Sequence, residues 1–191
     1  VLAQASCKIT QGEFLQMQIS NKPNTKISDY FNVIGGKTAQ LFGASAQSGA
    51  IVANGSLQQV KAAFDYGYNM GLAFQIIDDI MDYSSSNTQM GKNQGDDFKL
   101  GKTTLPIILA WEKSNKLERE FFLKSLQELK QEKGDFEKCC EILKKYSILN
   151  RCKKIANDFV IKAINALNEF SENDYKKALI ELANSSLSRD N

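Results

Sequence analysis

Apolar residues recur at three- and four-residue steps along most of the chain, which predicts a protein built from helices. The clearest stretch opens at Ser56, which with Gln59 forms the capping-box pattern that starts a helix. The spacing predicts that one stripe of this helix faces inward. That stripe comprises Leu57, Val60, Phe64, Gly67, Gly71 and Phe74. Asp78 and Asp82 continue the stripe, so carboxylates stand where the pattern expects core residues.

Similar stretches predict helices on both sides. One covers residues 1–20, and a second, capped by Ser28 or Asp29, runs from about Tyr30 to Ala53. The inward stripe of the second helix is predicted to comprise Tyr30, Ile34, Lys37, Leu41, Ala44, Ser48 and Ile51. Its glycines suggest a close backbone approach or a cavity, because glycine is costly inside a helix; they are Gly35, Gly36, Gly43 and Gly49. Downstream helices are predicted at 105–113, with Thr104 as its cap, and near 116–132, 135–146, 149–170 and 174–187.

The acidic end of the central helix suggests a metal site. Gln75, Asp78, Asp79 and Asp82 stand at i, i+3, i+4 and i+7 and therefore share one face. Like charges repel there, the helix dipole disfavours anions at this end, and an unpaired inward charge costs on the order of several kcal/mol. A hard cation such as Mg²⁺ removes all three penalties. The alternative from spacing alone is a solvated acidic helix end.

A loop rich in glycine and lysine follows, from Ser84 to Thr103, and contains Gly91-Lys92 and Gly101-Lys102. Glycines let backbone N–H groups approach anions, and lysines neutralise phosphate charge. Such a loop alone is a weak signal. Because it follows a carboxylate cluster directly, it favours a site in which acids hold a metal and lysines hold phosphates.

Composition narrows the possible functions. The 191 residues suit one domain, 1–191, and a net charge of +2 does not favour a nucleic-acid partner. With no histidine, the chain has no His general base and no Ser-His triad. The four cysteines show no CxxC spacing, so neither a zinc site nor a disulfide framework is indicated and a cytoplasmic location is expected. No apolar run is long enough for a transmembrane segment.

Two consecutive motifs resemble the second aspartate-rich region of the trans-prenyl diphosphate synthases. They are Gly71-x-x-Phe74-Gln75-Ile-x-Asp78-Asp79-x-x-Asp82-Tyr83 and Gly91-Lys92-x-x-Gly95-x-Asp97 with Gly101-Lys102-x-Thr104-Leu105-Pro106. Two earlier motifs agree in order and spacing, namely Gly12-Glu13-x-x-Gln16 and Gly36-Lys37-Thr38-Ala39-x-Leu41-Phe42. The resemblance spans essentially the whole chain and is strongest from 12 to 106.

The resemblance implies an all-α, isoprenoid-synthase-type helical barrel around a central cavity, and a prenyltransferase that condenses isopentenyl diphosphate with an allylic diphosphate. Asp78 and Asp82 would bind Mg²⁺, and Asp79 would act behind them. The resemblance also implies that three lysines bind the allylic diphosphate, namely Lys37, Lys92 and Lys102. Thr38 and Gln75 would lie beside the reacting carbon. The reaction would proceed through a carbocation, with released diphosphate as the base.

One departure from the family pattern is large. The first aspartate-rich motif and the arginine pair that follows it, both expected upstream of Gly12-Glu13, are not in these residues. The chain, which lacks the N-terminal helices, is therefore expected to be either the later part of a longer polypeptide or a truncated relative, and to be inactive alone. Gly95-Asp96-Asp97-Phe98 favours long-chain synthases that make quinone side chains, and the resemblance implies a homodimer.

Two other functions remain open at this stage. A terpene, squalene or phytoene synthase would share the helical fold and the metal and diphosphate chemistry, although Lys37-Thr38 favours chain elongation. A non-catalytic partner subunit of a heteromeric synthase is the other. Such a subunit is expected to lose its acids, whereas this chain keeps Asp78, Asp79 and Asp82.

Overall fold

The computed structural model describes residues 1–84 and 94–188, and all regular elements within these ranges are helical. The α-helices are α1 (Leu2–Ile19), α2 (Ile27–Ile34), α3 (Gln40–Val52), α4 (Leu57–Met81), α5 (Asp96–Lys99), α6 (Leu105–Lys113), α7 (Lys116–Phe122), α8 (Asp135–Lys145), α9 (Ile148–Ala166) and α10 (Asp174–Ser185). There are also two π-helical turns, Gly35–Ala39 and Leu123–Gln127, and two 3₁₀ turns, Leu167–Glu169 and Ser186–Ser188. The predicted all-α class is confirmed.

The 25-residue helix α4 is the central element, and it packs most extensively against α3 and α9. Its predicted start is confirmed, because the Ser56 hydroxyl accepts from the Gln59 amide and the Gln59 side chain accepts from the Ser56 amide. The helices α6 and α9 enclose the other part of the core. Leu105 to Ala110 of α6 are all buried, and α9 contributes a buried stripe of Ile148, Cys152, Ala156, Val160 and Ala163.

The predicted inward stripe of α4 is confirmed only in part. Gly67 and Gly71 are buried, whereas Leu57 is 85% exposed and Asp78 and Asp82 are only half-buried. The most deeply buried side chains of α4 lie outside this stripe and are Tyr66, Met70, Ala73, Ile76, Ile77, Asp79 and Ile80. Because α4 is apolar on most of its circumference, a three- and four-residue spacing fits more than one face.

The second predicted helix is interrupted by the π-helical turn Gly35–Ala39, and it begins at Ile27 after Lys26 rather than after Ser28 or Asp29. One extra residue in a helical turn rotates everything downstream by about 100°. Two positions predicted to face inward are exposed, Leu41 by 48% and Ile51 by 45%, whereas Ala44 between them is buried as predicted. Lys37 and Thr38 lie within the π-helical turn itself.

The helix α1 approaches this turn at backbone distance. A Cβ atom on Gly12 would lie 2.4 Å from the Lys37 amide nitrogen, and one on Gly36 would lie 3.0 Å from the Lys8 carbonyl oxygen. The predicted close approach is thus confirmed at Gly36. It was wrong at Gly49, which has no neighbouring atom within 4 Å of its Cβ position.

Large apolar side chains are exposed on α1, on α3 and at the start of α4. They are Leu2, Phe14, Met17, Leu41, Phe42, Val52 and Leu57. Where exposed apolar side chains form a contiguous patch, they commonly mark protein contacts. Within the part of the chain that the structure describes, no helix has the length and apolarity needed to cross a membrane.

We predict opposite effects of two glycine-to-alanine changes. Gly12→Ala should destabilise the fold by about 1–3 kcal/mol, because the new methyl group meets backbone atoms that cannot move aside. Gly49→Ala is the matched control. It should stabilise the fold by about 0.5–1 kcal/mol, because helical alanine has less conformational entropy to lose.

Urea unfolding followed by circular dichroism at 222 nm measures both free energies of unfolding. Equal stability of the two variants would contradict the close packing of α1 on the π-helical turn.

Candidate functional site

A cavity of about 220 Å³ opens between α1, the π-helical turn, the C-terminal end of α4 and the residues before α6. Six residues predicted from the sequence to form the site line it: Lys37, Thr38, Gln75, Asp78, Asp79 and Lys102. Asp82 lies one turn beyond Asp78 and is not part of the lining. Lys92 lies outside the described residues.

On one wall of the cavity, Lys37 is oriented by two side chains of α1. Its Nζ lies 3.1 Å from the Glu13 carboxylate and donates a 2.7 Å hydrogen bond to Gln16 Oε1. The close contact at Gly12 brings these side chains within reach, because Glu13 and Gln16 follow it on the same helix. Lys37 is thus held at the cavity edge before any ligand arrives.

A chain of hydrogen bonds crosses the floor of the cavity. The Tyr30 hydroxyl donates to Asp79 Oδ2 at 2.7 Å, and Gln75 Nε2 donates to Asp79 Oδ1 at 3.0 Å. The Thr38 hydroxyl then donates to Gln75 Oε1 at 2.9 Å. The chain joins α2, the π-helical turn and α4.

Asp79 is the deeply buried acid of the motif, with 4% of its surface exposed. Burial raises its pKa to about 7, although the hydrogen bonds from Tyr30 and Gln75 lower it and the charge of Asp97 raises it further. The same burial, together with the charge of Asp79, raises the pKa of Tyr30 well above its usual value.

Asp82 and Lys102 meet at Asp97, the second residue of α5. The Asp97 amide donates to Asp82 Oδ2 at 3.2 Å, and the Asp97 carboxylate forms an ion pair with Lys102. Burial raises the pKa of Asp82 to about 6, and the nearby charge of Asp97 raises it as well. Asp97 therefore links a predicted metal ligand to a predicted phosphate-binding lysine.

The backbone before α6 is fixed to the turn between α1 and α2. The Asn21 amide donates to the Gly101 carbonyl oxygen at 3.1 Å, and the Lys22 amide donates to Thr103 Oγ1 at 3.1 Å. Gly101 has φ +65°, a left-handed conformation that favours glycine. These bonds set the position of Lys102 opposite Lys37.

The acids of the motif do not converge on one point. Among residues 1–84 and 94–188, no group of three or more Cys, Asp or Glu side chains could hold a metal ion. Asp79 faces Tyr30, Asp82 accepts from α5, and Asp78 lines the cavity. The inward face that the spacing predicted for Asp78, Asp79 and Asp82 therefore does not bring all three carboxylates to one metal position.

The remaining donor set still fits Mg²⁺. Asp78 and Asp82 are four residues apart and half-buried, and Asp82 has a raised pKa that a cation would lower. Mg²⁺ usually takes one or two carboxylates and completes its shell with water and phosphate oxygens. Lys37 and Lys102 lie on the same cavity and supply charges that phosphate groups require.

Four contributors to the site were missed by the sequence reasoning. Glu13, Gln16 and Asp97 occur in the quoted motifs but received no role, and Tyr30 was assigned to the core. A signal for Tyr30 did exist. A tyrosine on a buried stripe needs a partner for its hydroxyl, and an acid on a facing helix is the natural acceptor.

Comparison with known proteins finds one family that matches most of the chain. A family model described as Polyprenyl synthetase matches residues 1–143. The octaprenyl diphosphate synthase of Haemophilus influenzae is 35% identical over 189 residues, which cover 99% of this chain and 57% of that protein. The chain thus spans little more than half the length of this curated relative.

Solved structures agree with the fold. A decaprenyl diphosphate synthase from Rhodobacter capsulatus superposes with a TM-score of 0.93 at 35% identity, covering 100% of this chain and 58% of that one. A polyprenyl synthase from Caulobacter crescentus, solved with calcium and isoprenyl diphosphate, gives a TM-score of 0.93 at 40% identity, with the same coverage of 100% and 58%.

We predict that the ligand-free chain becomes more stable as the pH falls from about 8 to about 5. The folded pKa of Asp79 is about 7 against 3.8 for the unfolded residue, so the folded state binds the proton more tightly across this window. Asp82, with a pKa raised to about 6, adds to the effect with the same sign. Asp79→Asn should remove the larger part of the pH dependence.

The free energy of unfolding, measured in urea at several pH values, tests this prediction. Asp65→Asn, the same chemical change on α4 where the acid pairs with Lys61, is the control and should keep the wild-type slope. An unchanged slope in Asp79→Asn would contradict the assignment.

Proposed function

Because this chain belongs to the polyprenyl synthetase family, we propose that it is a trans-prenyl diphosphate synthase chain that binds the allylic diphosphate and supports its condensation with isopentenyl diphosphate. One observation carries the proposal: Lys37, Lys102, Asp78 and Gln75 surround a single cavity. The cations and the acid suit a diphosphate and its metal, and the amide suits the carbon to which the diphosphate is attached.

In the proposed mechanism, Lys37 and Lys102 bind the allylic diphosphate and stabilise the charge that develops as it leaves. The residues that would hold Mg²⁺ are Asp78 and Asp82, and the ion would supply further charge neutralisation on the leaving group. Thr38 Oγ1 and Gln75 Oε1 point their negative dipole ends at the allylic carbon as it becomes positive. Lys92 is proposed as a third lysine on the diphosphate.

The double bond of isopentenyl diphosphate attacks the allylic cation, and a new carbon–carbon bond forms. The product loses one proton, and because the chain has no histidine we propose that the released diphosphate accepts it. Names of the relatives favour a long product, since they include octaprenyl and decaprenyl diphosphate synthases. The calcium and isoprenyl diphosphate named in the Caulobacter crescentus structure support a divalent cation and a diphosphate here.

We further propose that the chain acts as a homodimer in the cytoplasm. The exposed apolar side chains of α1 support a protein interface, since Phe14 is 64% and Met17 is 73% exposed. The four free cysteines, Cys7, Cys139, Cys140 and Cys152, support a reducing compartment.

A chimaera provides the direct test of activity. In it, the 189-residue region of the Haemophilus influenzae synthase that matches this chain is replaced by this chain. With Mg²⁺, an allylic diphosphate and radiolabelled isopentenyl diphosphate, we expect extended products from the chimaera and none from the 191-residue chain alone. Failure of a folded chimaera to extend any allylic diphosphate would contradict the proposal, and extended products would exclude a non-catalytic subunit.

Two variants of the chimaera separate the proposed roles. Asp78→Ala should lower kcat by about 10²–10³-fold with little change in the helical circular-dichroism signal, because a group that stabilises the leaving charge is lost. Lys102→Ala should mainly raise the KM for the allylic diphosphate. Lys99→Ala is the matched control, since this lysine pairs with Asp96 on the surface and does not line the cavity. Near-normal turnover of Asp78→Ala would refute its role.

A further inference from the structure

Tyr30 is buried at the base of the cavity, and the proposed mechanism gives it no direct contact with the substrate. Only 2% of its surface is exposed, and its hydroxyl donates to Asp79 Oδ2 at 2.7 Å. The other oxygen of Asp79 accepts from Gln75 Nε2 at 3.0 Å. Both oxygens of a buried carboxylate are therefore occupied by fixed donors, one from α2 and one from α4.

This arrangement fixes which end of the Gln75 amide faces the cavity. Because Gln75 Nε2 donates to Asp79 Oδ1, the NH₂ group of Gln75 points towards Asp79. The amide oxygen then points the other way, where it accepts from the Thr38 hydroxyl at 2.9 Å. If the amide were reversed, its NH₂ group would occupy that place, and the positive end of the dipole would face the cavity.

We infer that Tyr30 is a positioning residue: it holds Asp79 in place, and Asp79 in turn keeps the oxygen of Gln75 directed at the cavity beside Thr38. The inference rests on the proposed function, in which a positive charge develops on the substrate carbon in this cavity. An oxygen stabilises that charge and an NH₂ group destabilises it. Tyr30 acts on the reaction through two intervening side chains and does not touch the substrate.

Removal of the Tyr30 hydroxyl should release this constraint. In Tyr30→Phe, one buried oxygen of Asp79 loses its donor, which is a costly state for a carboxylate in a protein interior. The carboxylate is then drawn towards other positive groups. Lys102 is one of these, because its charge interacts with that of Asp79. Rotation of the carboxylate loosens its bond to Gln75 and allows the amide to reverse.

The matched control is Tyr66→Phe. Tyr66 lies on α4, is 7% exposed, and its hydroxyl donates to the Leu179 carbonyl oxygen at 2.9 Å, away from the cavity. Both variants remove one tyrosine hydroxyl and one hydrogen bond from the interior. They differ in whether that hydroxyl is connected to Gln75.

The test is nitrogen-15 NMR of the side-chain amide of Gln75 in the 191-residue chain without ligands, with the signal assigned from its loss in Gln75→Glu. Tyr30→Phe should shift the signal and raise its proton exchange rate by about tenfold, whereas Tyr66→Phe should leave both as in the wild type. Asp79→Asn is the second variant and should change the signal in the same way, because an amide donor then replaces a carboxylate acceptor. An unchanged Gln75 signal in Tyr30→Phe, or an equal change in Tyr66→Phe, would overturn the inference.

A kinetic measurement completes the test, and it uses the chimaera with the Haemophilus influenzae synthase. Tyr30→Phe should lower kcat by about 10–100-fold, with the KM for the allylic diphosphate and the Mg²⁺ dependence within about twofold of the wild type. A change in KM alone would contradict a role at the reacting carbon. If the wild-type chimaera forms no product, the proposed function fails, while the Gln75 signal still decides whether Tyr30 orients the amide.

Discussion

The burial of one carboxylate, Asp79, at the C-terminal end of α4 is the constraint on which the site depends. A charge in this place loses the solvation of water and also faces the negative end of the helix dipole. Fixed donors that replace the water reduce this cost, and Tyr30 and Gln75 are those donors. Because Tyr30 belongs to α2, the bond fixes how α2 lies against α4. The π-helical turn that continues α2 then carries Lys37 and Thr38 to the cavity.

The two lysines of the cavity illustrate a second principle, since each already has an acidic partner. Lys37 pairs with Glu13, and Lys102 pairs with Asp97. Both pairs are partly exposed, and ion pairs of this kind contribute only about 0–1 kcal/mol. Such partners orient a lysine before a ligand binds. Because the ion pairs are weak, a ligand that replaces the acidic partner loses little binding free energy by breaking the pair. A diphosphate, with more negative charge than one carboxylate, can therefore displace them or share the lysines with them.

Local signals predicted the helices well, whereas three-dimensional contacts decided the details of the site. The capping box at Ser56 and the limits of α6 depend on a few neighbouring residues, and both were predicted. The π-helical turn at 35–39 was not, because it arises where α1 packs on backbone at Gly12, 24 residues before Gly36. The buried acid of the motif was also misassigned. Periodicity could not tell Asp78 from Asp79, since apolar residues surround both on a helix that is buried on most sides.

The angular positions of the three acids explain how one motif can have the two roles that we propose for it. Residues four apart on a helix are separated by about 40° around its axis, whereas adjacent residues are separated by about 100°. Asp78 and Asp82 therefore point in similar directions, whereas Asp79 is turned by about 100° from Asp78 and by about 60° from Asp82, and it is the acid that is buried in the core. Two acids on one face match the one or two carboxylates that Mg²⁺ usually accepts. The third acid would be redundant as a ligand, but in the core it can orient Gln75, whose oxygen must be directed correctly for a cation to form nearby. In the proposed mechanism, Asp78 and Asp82 thus act on the leaving group, and Asp79 acts through Gln75 on the carbon from which that group departs.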